Sequence, residues 1–402
     1  MTASVWRVIV PATVAVTGAA GFLARILGAT KRIAEADQPG PAGMGRNLGR
    51  MAEYRDGLSL SELKVRQPFE LGLAAMGECR WDEAVAYFKK AMTVTKGVHV
   101  VALLNLIGVC RYTQGRADEA LRDFDESAHL AAGLQSKRGR AQALNNIGLI
   151  YRDRGDLDRA LEYLEESLAL ARELDDRWAV AIQLGNVGSV WHDRGELDKA
   201  LDCHKQALAI SREIRDQWGV ASDLANIGSV CLDNGDSDEA LKYDEEALAA
   251  SRSVGYRLGV VTGLANIANI HRKQGRLEEA LQYEEEALAI ARKAGYSLGV
   301  ASELGNIGLD LVTRKKHEEA VPRLAEALTI LLSIGVADGP RQAVTGLVRC
   351  EDKIGRNRVE ALLKLSGFDS GKTADLLDRV DLMRMKRPVP ADSRQLLIPT
   401  VG

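Results

Sequence analysis

The side chains of this 402-residue chain with the strongest chemistry are its thiols, its imidazoles and one glycine-framed stretch near the C-terminus. The cysteines are Cys79, Cys110, Cys203, Cys231 and Cys350. None forms a C-x-x-C pair and none has a histidine at metal-ligand spacing, so neither zinc nor a disulfide scaffold is expected. A reducing compartment fits that usage. The stretch 367–373 (GFDSGKT) looks like a phosphate-binding loop, but three residues separate its glycines where four are required, and no strand precedes it. Gly43 and Gly45 lie in a Pro/Gly-rich segment rather than between a strand and a helix. No Ser/His/Asp or Cys/His arrangement emerges, and carboxylate pairs such as Glu165/Glu166 belong to solvated helix faces. The reading is of a protein with no catalytic residues, no metal and no cofactor.

The chemistry that recurs is that of the carboxamide. Asn146, Asn186, Asn226, Asn266 and Asn306 follow one another at intervals of 40. Three residues on stand Ser189, Ser229 and Asn269, and seven residues on stand Asp153, Asp193 and Asp233. On a helix these offsets share one face. Asn is a poor helix former, so a mid-helix Asn in five successive segments needs a reason. Each amide offers a donor and an acceptor, which suits the backbone of an extended peptide. The alternative is that each Asn bonds a neighbouring helix and fixes how the segments stack. The accompanying Ser and Asp favour a ligand with donors or positive charge, unless they form only a solvated face.

These residues are positioned by a repeat. LNNIGLIYRDRGDLDRALEYLEESLAL begins at Leu144, LGNVGSVWHDRGELDKALDCHKQALAI at Leu184, and LANIGSVCLDNGDSDEALKYDEEALAA at Leu224. Further copies begin at Leu103, Leu264 and Leu304. Gly108, Gly148, Gly188, Gly228, Ala268 and Gly308 keep the step of 40, as do Ala120, Ala160, Ala200, Ala240, Ala280 and Ala320. An earlier copy holds Gly72, Trp81, Ala84, Phe88 and Ala91, and a degenerate one covers about 341–368. Each copy reads as two antiparallel helices. Apolar or small residues recur at 3–4 spacing, a glycine (Gly155, Gly195, Gly235, Gly275) supplies the turn, and an acidic residue such as Asp156 or Glu196 opens the second helix. Small residues at the Gly148 and Ala160 positions let the two helices approach closely. Cys203 and Cys231 replace Tyr or Trp in these columns, and His271 occupies the Tyr151/Trp191/Cys231 column, so all three read as packing residues. His192 and His204 are likewise not expected to be metal ligands.

Gly148, Tyr151, Gly155 and Ala160 match the pattern of the tetratricopeptide repeat, and the 40-residue period with its L-x-N-I-G core resembles the longer-helix subgroup that includes kinesin light chains, the G-protein-signalling modulators and many bacterial repeat proteins. The resemblance covers about residues 69–335. It implies an all-α, right-handed superhelical solenoid of antiparallel helix pairs, whose first helices line a concave groove. It also implies that the Asn row contacts a peptide, since peptide-binding members use Asn in that way. One departure stands out. The family's large hydrophobic residue four after the Ala is kept as Phe88, Phe124, Leu164 and Leu324 but becomes His204, Asp244 and Glu284 in the middle copies. A local helix rotation or an exposed polar row would each account for it, with Tyr163, Tyr243 and Tyr283 taking over part of the packing.

Composition agrees. Hydrophobic residues make up 46%, charged residues 27% and aromatics 5%, which suits helices packed through Ala, Leu, Ile and Val. The net charge of −3 gives no pull toward nucleic acid. The expected organisation is an apolar segment over 1–36, a linker over 37–60, the array over 61–368, and a helix with a tail over 369–402. Residues 5–29 admit three readings: a membrane anchor that leaves the array cytoplasmic, a targeting peptide, or a helix packed on the first repeat. The expected partner is a protein or peptide held by the array. A self-assembling, membrane-associated coat is the alternative.

Overall fold

The computed structural model describes residues 63–77, 80–333 and 340–385, and among these the secondary structure is entirely helical. The chain divides into two compact units, Met1–Ile270 and His271–Gly402. Segments 1–36 and 37–60, with the proposed anchor at 5–29, lie outside the described residues, as does the tail beyond Met385.

In the first unit the helices come in pairs: α1 (Leu63–Gly77) with α2 (Trp81–Met92), α3 (Val98–Thr113) with α4 (Ala117–Gly133), and α5 (Lys137–Asp153) with α6 (Leu157–Glu173). Then follow α7 (Arg177–Asp193) with α8 (Leu197–Glu213), and α9 (Gln217–Asn234) with α10 (Ser237–Ser253). α11 (Arg257–Lys273) comes next, and its residues to Ile270 belong to this unit. The pairs from α3–α4 to α9–α10 each turn on a glycine in the left-handed region, as at Gly155 (φ 77°) and Gly195 (φ 83°), where a side chain would be strained. Asp156 then caps α6 by accepting from the Arg159 N–H at 3.3 Å. Glu196 stands in the same place before α8 and makes no such cap bond.

The pairs close tightly because one helix offers no side chain at the crossing. A Cβ on Gly148 would lie 2.7 Å from Leu164 Cγ and 3.2 Å from the Ala160 carbonyl oxygen. One on Gly108 would lie 2.5 Å from the Phe124 ring. Ser167 adds a buried polar tie, donating to the Ala141 carbonyl at 2.7 Å. The core between pairs is Ile and Val from first helices and Ala and Leu from second helices, as in the cluster of Ala160, Leu161, Leu164, Val187 and Val190.

The second unit begins inside α11 and repeats the design. It holds α12 (Leu277–Ala294), α13 (Ser297–Thr313) with α14 (His317–Ser333), α15 (Pro340–Ile354) with the shorter α16 (Arg356–Leu365), and α17 (Ser370–Met385). Here Lys315 takes the turn position at φ 62° without being glycine. The stretch 341–368, read as a degenerate copy, holds α15 and α16. The helix expected within 369–402 is α17, which begins at Ser370, where Asp369 accepts from the Lys372 N–H at 2.8 Å and caps the first turn.

Candidate functional site

The Asn row falls mid-way along the first helices, one residue before the buried Ile or Val that faces the core. Asn146, Asn186, Asn226 and Asn266 are half-buried on α5, α7, α9 and α11 of the first unit, and Asn306 is half-buried on α13 of the second. They are not equivalent. Asn186 donates from Nδ2 to Asn145 Oδ1 at 2.7 Å, linking α7 to α5. Asn266 donates to Asp244 Oδ1 at 2.9 Å, linking α11 to α10. Asn306 bonds the buried Glu303 one turn earlier on its own helix. The row therefore does join neighbouring helices at two of its positions, while every one of these residues stays partly exposed.

The companions of the row are placed differently from one another. Ser189 is buried and donates to the Gly185 carbonyl at 2.9 Å. Ser229 is half-buried and donates to the Ala225 carbonyl at 3.0 Å. Asn269 is half-buried on α11. The aspartates each meet the preceding first helix, through residues that sequence reasoning passed over. The Tyr112 hydroxyl donates to Asp153, Arg152 Nε donates to Asp193 at 2.5 Å, and His192 Nε2 lies 3.0 Å from Asp233. All three ties span 41 residues. Burial raises the proton affinity of the Asp153 carboxyl to about 7, and the negative charge of Asp193 adds to the effect.

The departure from the family pattern resolves in neither of the two ways the sequence left open. His204, Asp244 and Glu284 occupy the hydrophobic position itself and are buried there, at 1%, 2% and 0% exposure. A Cβ on Gly188 would meet the His204 ring at 2.9 Å, and one on Gly228 would meet Asp244 Oδ2 at 2.8 Å, as Gly148 meets Leu164. The helices have not rotated, and polar atoms stand in the apolar slot. Burial pushes His204 down to about 3, so it is neutral, and its Nδ1 has no hydrogen-bond partner among the described residues. Burial pushes Asp244 up to about 8, against the opposing bond from Asn266. The tyrosines one residue earlier pack at the margin of the core: Tyr163 stacks on Tyr151 at 5.4 Å, and in the second unit Tyr283 stacks on His271 at 5.3 Å.

In the second unit Glu284 is paired with Arg272, whose Nε also reaches Asp310 at 2.6 Å. Burial raises Glu303 to about 8, with Arg272 and Asn306 acting in the opposite sense. Asp310 stands in the column that holds Ile150, Val190 and Val230 elsewhere. That substitution in a core column was the available sign of a buried charge cluster.

Cys110 and Cys350 are buried with thiols pushed up to about 12, and burial raises Cys203 and Cys231 as well, so none is poised as a thiolate. Among the described residues no grouping of His, Cys, Asp and Glu could hold a metal ion, and no helix is long and apolar enough to cross a membrane. Stretch 367–373 is the turn from α16 into α17, with Thr373 buried, so its backbone does not form a phosphate cradle between a strand and a helix.

A tetratricopeptide repeat profile matches residues 99–173, 139–213, 178–253, 220–293 and 260–333. No curated protein sequence matches the chain. Among solved structures, the apo form of the quorum sensor NprR from B. thuringiensis superposes with a TM-score of 0.54 at 16% identity, over 89% of this chain and 98% of that one. NprR in complex with its cognate peptide NprX gives 0.51 at 14%, over 80% and 99%. A Rap protein complexed with competence and sporulation factor gives 0.54 at 12%, over 85% and 98%. At these identities the likeness is one of fold.

Proposed function

The chain belongs to the tetratricopeptide repeat family, and from that premise we propose that it is a binding scaffold that holds a peptide or partner helix against its first helices, without catalysis. The array is read as residues 61–368, with segments 1–36, 37–60 and 369–402 outside it. The observation that carries the reading is the Asn row of the first unit. An Asn recurs at the same half-buried place on α5, α7, α9 and α11. Asn186 and Asn266 each use one hydrogen of Nδ2, and Asn146 uses Oδ1 to accept from Asn145, which leaves the rest of each amide for a ligand. Solved neighbours of this fold include a protein complexed with its cognate peptide, which supports a peptide as the class of ligand. The face on the first helices is the site proposed, with Ser229, Asn269, Asp193 and Asp233 flanking the amides.

The test is affinity capture with the full chain and its Asn186→Ala/Asn226→Ala variant, each checked for unchanged helicity. Asn186 ties α7 to α5 whereas Asn226 makes no side-chain hydrogen bond among the described residues, so the two single variants, run beside the double one, separate lost stacking from lost recognition. A partner retained by the parent and lost by the variant supports the scaffold. Identical partner sets with both proteins would remove the row from the site.

A further inference from the structure

One glutamate column of the second helices is neutralised by arginine in most copies. Glu166 on α6 pairs with Arg140 on α5. Glu246 on α10 pairs with Arg212 on α8 at 2.5 Å. In the second unit Glu326 on α14 pairs with Arg292 on α12 at 2.7 Å. The copy of α7 and α8 breaks both forms of this tie. Gln206 stands where its neighbours have Glu166 and Glu246, and Val180 stands at the place of Arg140. Arg172, the counterpart of Arg212, thus meets an amide in place of a carboxylate. Its side chain has no hydrogen bond or ion pair among the described residues. Gln206 donates instead to Asp202 on its own helix at 2.7 Å.

A cavity of about 190 Å³ opens where the tie is missing. Its floor is aliphatic and buried: Val180 and Leu184 from α7, and Ile210 from α8. Its rim is polar and exposed, with Arg172 at the end of α6, Gln206 on α8, and Asp175 in the turn between α6 and α7. Asp175 holds a left-handed backbone at φ 50°. Its carboxylate, like the guanidinium of Arg172, has no ion pair among the described residues, so the two do not neutralise each other. Arg177, also at the rim, is held by Glu213 at 2.5 Å. The cavity therefore offers one uncompensated charge of each sign above a hydrocarbon floor. Its volume lies well below the ~300 Å³ at which pockets for drug-sized ligands begin, so the occupant must be small.

We infer that the cavity between α6, α7 and α8 binds a free aliphatic α-amino acid, with its carboxylate on Arg172, its ammonium on Asp175 and its side chain on Val180, Leu184 and Ile210. A guanidinium fork takes a carboxylate through two parallel N–H bonds. The second Nε2 hydrogen of Gln206 remains to support it. Desolvating a branched hydrocarbon on the floor adds the apolar part of the affinity. None of these residues belongs to the peptide face proposed above, so the cavity stands or falls apart from the scaffold.

The test titrates leucine, N-acetylleucine, leucinamide and glutamate into the full chain by calorimetry at neutral pH. Leucine should bind. N-acetylleucine lacks the ammonium and leucinamide lacks the carboxylate, so each should bind roughly tenfold more weakly, as the loss of one charged hydrogen-bond partner does. Glutamate would set a charge on the apolar floor and should not bind. Arg172→Gln should weaken leucine roughly tenfold. Asp175→Asn should weaken leucine and leave N-acetylleucine unchanged. Gln206→Glu gives Arg172 the acid that Arg212 has, and should abolish leucine binding with helicity unchanged. All three substitutions fall on exposed side chains, so the fold is kept. If leucine does not bind, or binds equally to the Arg172→Gln and Gln206→Glu variants, the assignment is overturned. N-acetylleucine or leucinamide binding as tightly as leucine would mark a docking point for a chain terminus of another protein, and overturn the free amino acid.

Discussion

Arg152 Nε lies 2.5 Å from Asp193, so that the end of one first helix is fastened to the end of the next by a charge pair, with the arginine 4% and the aspartate 22% exposed. Removing the cation strands Asp193 near Asp153, whose proton affinity it already raises. Arg152→Ala should destabilise the chain by about 3 kcal/mol, the cost of breaking a largely buried pair from one side. Arg152→Met/Asp193→Leu together should cost much less, because both charges leave. Thermal unfolding of the two variants checks the contrast.

His204 predicts an acid weakness. Its folded value, about 3, lies below the ordinary 6.5. Between those values the unfolded chain binds a proton that the folded chain refuses, so stability is full above pH 6.5 and is lost as pH falls toward 3. At pH 5 the loss should be about 2 kcal/mol. His204→Leu restores the family's apolar residue and should remove that part of the acid slope in urea titrations run across pH.

Asp244 predicts the opposite slope. Its folded value, about 8, lies above the ordinary 3.8. The folded chain keeps a proton that the unfolded chain has lost, so stability falls as pH rises from about 4 to 8. The slope should be about 1.4 kcal/mol per pH unit for one proton. Asp244→Asn keeps the shape and the bond to Asn266 without the titration. It should flatten the alkaline side while leaving the His204 slope in place.

Two glycines one turn apart on α7 should separate close approach from helix propensity. A Cβ on Gly188 would lie 2.9 Å from the His204 ring and 3.0 Å from Cys203 Cβ, whereas one on Gly185 has only Asp223 Oδ1 at 3.7 Å. Gly188→Ala should lower stability by about 1–2 kcal/mol, since overpacking outweighs the helical gain. Gly185→Ala should be neutral or raise it by up to about 1 kcal/mol. Differential scanning fluorimetry on the pair reads the difference.

The pair of helices, its turn and its crossing were legible because each is local. Gly155 sets a left-handed turn, Asp156 caps, and Gly148 with Ala160 permits contact, all within one copy. What stayed illegible depends on packing, within a copy and between copies. His204, Asp244 and Glu284 break the pattern, and residue type alone does not say whether the slot stays buried. Packing against Gly188 and Gly228 decides it for the first two. The Asn row could be found from spacing alone, but its bonds to Asn145 and Asp244 required a neighbour's position. The ties from Tyr112, Arg152 and His192 were hidden because one column holds three different side chains. Only the offset of 41 to an Asp is shared.

Equal length makes the copies look exchangeable, and in the buried slot they nearly are. His204 is fitted under Gly188 of its own copy, Leu164 fills the same space with carbon alone, and Asp244 is matched by an amide of a column that recurs in the copies around it. The ties between copies are another matter. Asp153 meets a phenol, Asp193 a guanidinium and Asp233 an imidazole, each from the copy before. A chain with copies shuffled would keep every helix, turn and period and still change those partners, so the order of the copies is written between them rather than inside them.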